Sequence, residues 1–77
     1  MKILIKSYLI KPKFSDGKQV FERDVPAGQY TIAKLLGEIG ISKDDVGLFF
    51  VNKERVSNDY VLKDGDFLEL IPLLDGG

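Results

Sequence analysis

The residues in this chain best suited to chemistry are Leu73-Leu74-Asp75-Gly76-Gly77, which follow Pro72. They read as an extended arm carrying a carboxylate on two residues without side chains. A carboxylate is a poor electrophile, but transfer of AMP onto it creates a mixed anhydride that sulfur or nitrogen nucleophiles attack. Gly-Gly suits such a reaction, because a narrow channel admits backbone without a Cβ and glycine adopts conformations that other residues resist. Gly77 is then the reacting group, and Gly76, Asp75, Leu74 and Leu73 are the residues by which a channel would recognise the arm. Nothing in the sequence offers the arm a strand to pair with, so residues 73–77 are expected to be a flexible tail.

Little else in the composition can catalyse. The 77 residues include no cysteine and no histidine, which removes thiol nucleophiles, disulfides, zinc ribbons and the commonest general base. The Asp, Glu, Lys and Tyr residues form no recognisable catalytic constellation, and no glycine-rich phosphate loop is present. Asp64-Gly65-Asp66 brings two carboxylates, too few for a calcium site, and reads as a turn. The expectation is no catalytic residue, no metal and no bound cofactor, with the chemistry supplied by a partner.

The charge balance narrows the partner. Eleven basic and twelve acidic residues give a net charge of −1, too near neutrality for a nucleic-acid binder or a polybasic membrane anchor. Residues 1–23 hold six basic side chains against two acidic, and residues 24–77 hold five against ten. Both sets read as solvated faces, with a basic partner surface opposite the acidic part as the alternative. Lys6, Lys11 and Lys13 interrupt the first apolar run, no cleavage site follows, and no run approaches the ~20 apolar residues of a membrane span. A soluble, cytoplasmic protein is expected.

The elements that must hold the arm follow from the spacing of apolar residues. Ile3, Ile5 and Leu9 alternate with Lys2, Lys6 and Tyr8 in a half-buried strand. Lys11-Pro12 ends it, Ser15-Asp16-Gly17 is a turn, and Gln19 to Val25 returns antiparallel, with Phe21, Arg23 and Val25 sharing a face. Pro26-Ala27-Gly28 breaks that strand. Thr31 then caps a helix whose Ile32, Leu35, Leu36 and Ile39 fall at i, i+3, i+4 and i+7, and Gly40 stops it in the left-handed region. After a polar connection, Gly47 to Val51 is a continuous apolar strand, Asn52-Lys53-Glu54 turns into the short strand Arg55-Val56, and Phe67 to Ile71 is the last strand. Residues 57–62 read as irregular or a single helical turn. The order β-β-α-β-β-β predicts one α+β domain over residues 1–72, a mixed sheet of about four to five strands on one helix. A strand-helix-strand crossover makes the strands it joins parallel.

One helix covers one sheet face. Leu48 and Phe50 alternate with Phe49 and Val51, and Leu68 and Leu70 with Phe67, Glu69 and Ile71; only one set of each can face the helix. The apolar remainder, with Phe49, Phe50, Phe67 and Ile71 as candidates, forms a surface for docking a partner.

Taken in order, Val25-Pro26-Ala27-Gly28, Thr31 to Leu36, Val51 to Val56, Leu62 to Asp66 and Ile71-Pro72 through Gly76-Gly77 resemble the ubiquitin-like β-grasp sulfur carriers of the MoaD/ThiS family. That family comprises the small subunit of molybdopterin synthase and the thiamin-biosynthesis sulfur carrier. The resemblance spans essentially the whole chain. It departs at Lys53, where glycine is frequent, at the single Pro72, where a proline pair is frequent, and in the first hairpin loop. The resemblance implies that a ubiquitin-activating-like adenylating enzyme uses ATP to adenylate Gly77, which becomes a thiocarboxylate and delivers sulfur to a cofactor precursor. The implied partners are that enzyme and either a synthase large subunit or thiazole synthase, with molybdopterin slightly favoured over thiamin. Two alternatives remain: a ubiquitin-like modifier joined through Gly77 to a lysine, and a noncatalytic β-grasp binding module.

Overall fold

The computed structural model describes residues 1–8 and 20–72. Its elements are β1 (Lys2–Ser7), β2 (Val20–Asp24), α1 (Ile32–Ile39), β3 (Val46–Val51), β4 (Glu54–Val56) and β5 (Phe67–Pro72), with a 3-10 turn at Lys43–Asp45 where the sequence reads as a polar connection. The expected turn at Ser15-Asp16-Gly17, the stop at Lys11-Pro12 and the tail 73–77 lie outside the described residues.

The five strands form one mixed sheet in the order β2-β1-β5-β3-β4. β1 pairs antiparallel with β2 and parallel with β5. β5 in turn pairs antiparallel with β3, and β3 with β4. The crossover through α1 joins β2 and β3, which run the same way as expected but stand on opposite sides of the central β1–β5 pair. The parallel neighbours are thus the first and last strands. A β-grasp, ubiquitin-like fold is the result.

α1 forms where the sequence places it. The Thr31 hydroxyl accepts from the Lys34 N–H at 3.2 Å, and Gly40, at φ 79°, donates its N–H to the Leu36 carbonyl. The first two helical N–H groups are met from the irregular segment: Ile32 N donates to the Tyr60 carbonyl at 3.1 Å and Ala33 N to that of Asn58 at 2.8 Å. Residues 57–62 therefore serve the donors that a helix start leaves free. Ile32, Leu35, Leu36 and Ile39 bury themselves against Ile3 and Ile5 of β1, Phe49 and Val51 of β3, and Leu68 and Leu70 of β5, with Val25, Tyr30, Val46 and Leu62 completing the core. Phe21 and Arg23 share the face of Ile5 and Ile3, their cross-strand partners, which settles the side of β2 that the pattern left open.

Candidate functional site: the open sheet face and the root of the tail

β5 is the middle strand of the sheet, and Pro72, its last residue, pairs with Val46 at the start of β3. The segment that carries Gly77 is therefore rooted in the best-supported strand, hydrogen-bonded on both sides. Leu73, Leu74, Asp75, Gly76 and Gly77 themselves lie outside the described residues.

The face turned away from α1 is built by strand alternation. Cross-strand partners share a face, so the register assigns to it the row Val20, Lys6, Glu69, Phe50, Arg55, together with the pairs Leu4–Phe67 and Leu48–Ile71. Leu48, Phe50, Phe67 and Ile71 are half-buried by their neighbours, while Leu4 is 38% and Tyr8 42% exposed. Among these apolar groups stands a carboxylate. Glu69 is only 7% exposed; its Oε2 accepts from the Tyr8 hydroxyl at 3.1 Å, and its Oε1 lies 3.3 Å from Lys53 Nζ. Lys53 Nζ also lies 5.1 Å from the centre of the Phe67 ring, and Lys6 Nζ 4.9 Å from that of Tyr8.

Lys53 reaches this place from the β3–β4 turn. Val51 pairs with Glu54, which leaves a two-residue loop in which Asn52 has φ 52° and Lys53 φ 73°. Two positive φ values in a two-residue hairpin are the type I′ turn, which matches the twist of the strands it joins. Asn52 tolerates that region; lysine does so at a cost of about 1–2 kcal/mol. Asn52 also ties the turn to β5. Its Oδ1 accepts from Phe67 N at 3.0 Å and its Nδ2 donates to Asp66 Oδ1 at 2.9 Å, while Asp66 Oδ2 accepts from Lys63 N at 2.8 Å. Asp64 Oδ1 accepts from Lys2 N at 2.7 Å. The two carboxylates of the Asp64-Gly65-Asp66 segment thus serve backbone and amide donors, and no group of three or more metal-ligating side chains occurs among the described residues.

Phe50, Phe67 and Ile71 take the expected places on the open face. Phe49 does not: it is 8% exposed and belongs to the core beneath α1, paired with Leu70 and Val56. The physical reason is strand alternation: Phe49 lies between Leu48 and Phe50, both on the open face, and shares the inner side with Val51 and its partner Leu70. The register shift between Val46 and Leu48 makes Gly47 an extra residue, which brings Val46 to that same inner side. The alternation sets Tyr8 on the outer side of β1 and Glu69 with Phe67 and Ile71, but sequence reasoning singles out neither as a site residue and misses Lys53 altogether. A lone charge in an apolar strand, Leu68-Glu69-Leu70, was the available signal. A cleft of about 450 Å³ at the end of β4 is lined by Gly47, Leu48, Phe49, Arg55, Val56, Ser57 and Asn58. Arg55 is the one charged residue in that lining, which provides no acid–base pair. No helix among the described residues is long and apolar enough to cross a membrane.

Fold and face together define a ubiquitin-like β-grasp protein that offers one sheet face and a chain end rooted in the central strand. The ThiS family model matches residues 16–77, and the chain belongs to that family of ubiquitin-like sulfur carriers. No curated protein sequence matches it significantly. Among solved structures it is similar to SAMP1 from Haloferax volcanii, with 21% identity, TM-score 0.70 and the full length of both chains covered. It is also similar to a putative molybdopterin converting factor subunit 1 from Pyrococcus furiosus, with 23% identity, TM-score 0.71 and coverage of 96% of this chain and 99% of that one. A third is from the complex of subunits 1 and 2 of the molybdopterin-converting factor of Helicobacter pylori, with 20% identity, TM-score 0.56 and both chains fully covered. At these identities the likeness is one of fold.

Proposed function

We propose that this protein is a sulfur carrier whose Gly77 carboxylate is activated by a ubiquitin-activating-like adenylating enzyme. A carboxylate oxygen of Gly77 attacks the α-phosphorus of ATP, pyrophosphate leaves, and an acyl adenylate forms. Hydrosulfide, or a donor equivalent to it, attacks the carbonyl; the C–O bond breaks, AMP departs with the electron pair, and a thiocarboxylate remains. The observation that carries this reading is the family match running through Gly76-Gly77. The sheet supplies a handle and the partner supplies ATP and catalyst, so the carrier itself needs no catalytic residue, metal or cofactor. The likeness to two molybdopterin-converting-factor subunits, one of them in complex with its second subunit, supports molybdopterin over thiamin as destination and a synthase large subunit as acceptor.

The test incubates the chain with its cognate activating enzyme and labelled ATP. Wild-type protein accepts AMP; a variant lacking Gly77 does not, and Gly76→Val is nearly as impaired because its branched side chain obstructs a channel shaped for backbone. Both variants melt at the wild-type temperature, since β5 ends at Pro72. A Gly77-deleted chain that still supports sulfur transfer would refute the carrier reading. The intact mass of protein from its native cell separates a thiocarboxylate, heavier by the difference between sulfur and oxygen, from an isopeptide adduct.

A further inference from the structure

Lys53 is held where its backbone resists being. A φ of 73° suits glycine or asparagine, and the turn itself needs no lysine. Strain of this kind persists where function uses it. What lysine adds is a cation delivered to the apolar centre of the open face: Nζ is 3.3 Å from Glu69 Oε1 and 5.1 Å from the Phe67 ring centre, while the side chain stays 74% exposed. Glu69 is buried and shared with Tyr8, so it acts as a fixed post that holds the ammonium over Phe67. Arg55, beside Phe50 on the edge strand β4, and Lys6, across from Glu69 on β1, add two further positive charges to this face. Glu22 and Asp24 stand on the same face but out on the edge strand β2, opposite Leu4 and Lys2. Lys2 stands opposite Asp24 on that side, so the β5–β3–β4 side of the face is the one that carries two cations, Lys53 and Arg55, against the single buried carboxylate of Glu69.

We propose that Lys53 is a specificity residue of the docking face, and that the partner it fits brings a carboxylate side chain to Lys53 and Arg55, flanked by apolar groups that settle on Phe50 and Phe67. The inference takes only the identity of the partner, the activating enzyme, from the carrier reading. Buried Glu69 orients the ammonium and the partner's carboxylate completes its coordination. Complementary charge of this sort selects the partner and speeds encounter.

The experiment measures AMP transfer by the cognate activating enzyme over a range of carrier concentrations, with binding measured separately without ATP. Lys53→Asn keeps the left-handed turn and removes the charge. It is expected to raise KM and Kd about tenfold with kcat unchanged, and Lys53→Arg is expected to restore most of the loss. Added salt should weaken wild-type binding more than binding of Lys53→Asn. Lys34→Asn, on the exposed side of α1, serves as the control and should bind as wild type. Equal KM and Kd for wild type and Lys53→Asn would overturn the proposal while leaving the carrier reading intact; tight binding without any AMP transfer would sink the carrier reading and leave this one standing. Absence of wild-type binding would overturn both. Concentration-dependent self-association abolished by Lys53→Asn would assign the face to a second copy and overturn the proposal.

Discussion

At the residue scale, burial tests each polar atom against its partners. The Tyr30 ring is in the core at 3% exposure, and its hydroxyl has no hydrogen-bond partner among the described residues. A buried hydroxyl that has given up water without a replacement is a net loss. Tyr30→Phe keeps the ring and removes the orphan, and should stabilise the fold by about 1 kcal/mol, a rise in Tm of about 4–8 °C for a domain of this size. A calorimetric scan showing a lower Tm would mean the hydroxyl has a partner. Residue by residue, the sequence is least informative in Gly47-Leu48-Phe49-Phe50-Val51. Every position there is apolar or glycine, so hydrophobicity cannot say which side is inside, and the extra residue at Gly47 defeats counting by two. The partners of Glu69 were illegible for a different reason: Tyr8 is 61 residues away along the chain, and Lys53 is delivered by an unusual turn.

At the element scale, α1 was fully legible. Its capping threonine, its 3.6-residue apolar period and its terminal glycine all lie within Thr31 to Gly40, so no distant information is needed. Leu36 is 2% exposed on the buried stripe, and Leu36→Ala should cost about 2–5 kcal/mol. That is much of the stability of a small domain, and a urea titration should show the midpoint fall accordingly. Gly37 is the opposite case. It sits mid-helix without a positive φ, and a Cβ added there would meet nothing within 4 Å. Gly37→Ala should therefore stabilise by about 0.5–1 kcal/mol, read as a higher Tm by far-UV circular dichroism. Strand identities were legible from alternation and turn residues, but strand order was not. That β1 lies beside β5 is a pairing between the two ends of the domain, which no local pattern encodes.

At the scale of the whole molecule, the placing of β5 between β1 and β3 has a mechanical consequence. β1 and β5 are parallel neighbours, with Leu4 opposite Phe67 and Ser7 opposite Leu70. A handle attached before β1 and another after β5 would pull the two strands in opposite directions along their length. The ladder between them is then loaded in shear, all its hydrogen bonds sharing the force, instead of unzipping one at a time. The antiparallel β1–β2 pair, pulled across its bonds, would part rung by rung. Single-molecule stretching from the two ends should give one high-force event, and moving the first handle to Val20, which lies at the same end of the sheet as the end of β5, should lower that force. A chain whose far end is threaded into another protein's channel would, by this geometry, withstand being tugged there without losing its shape.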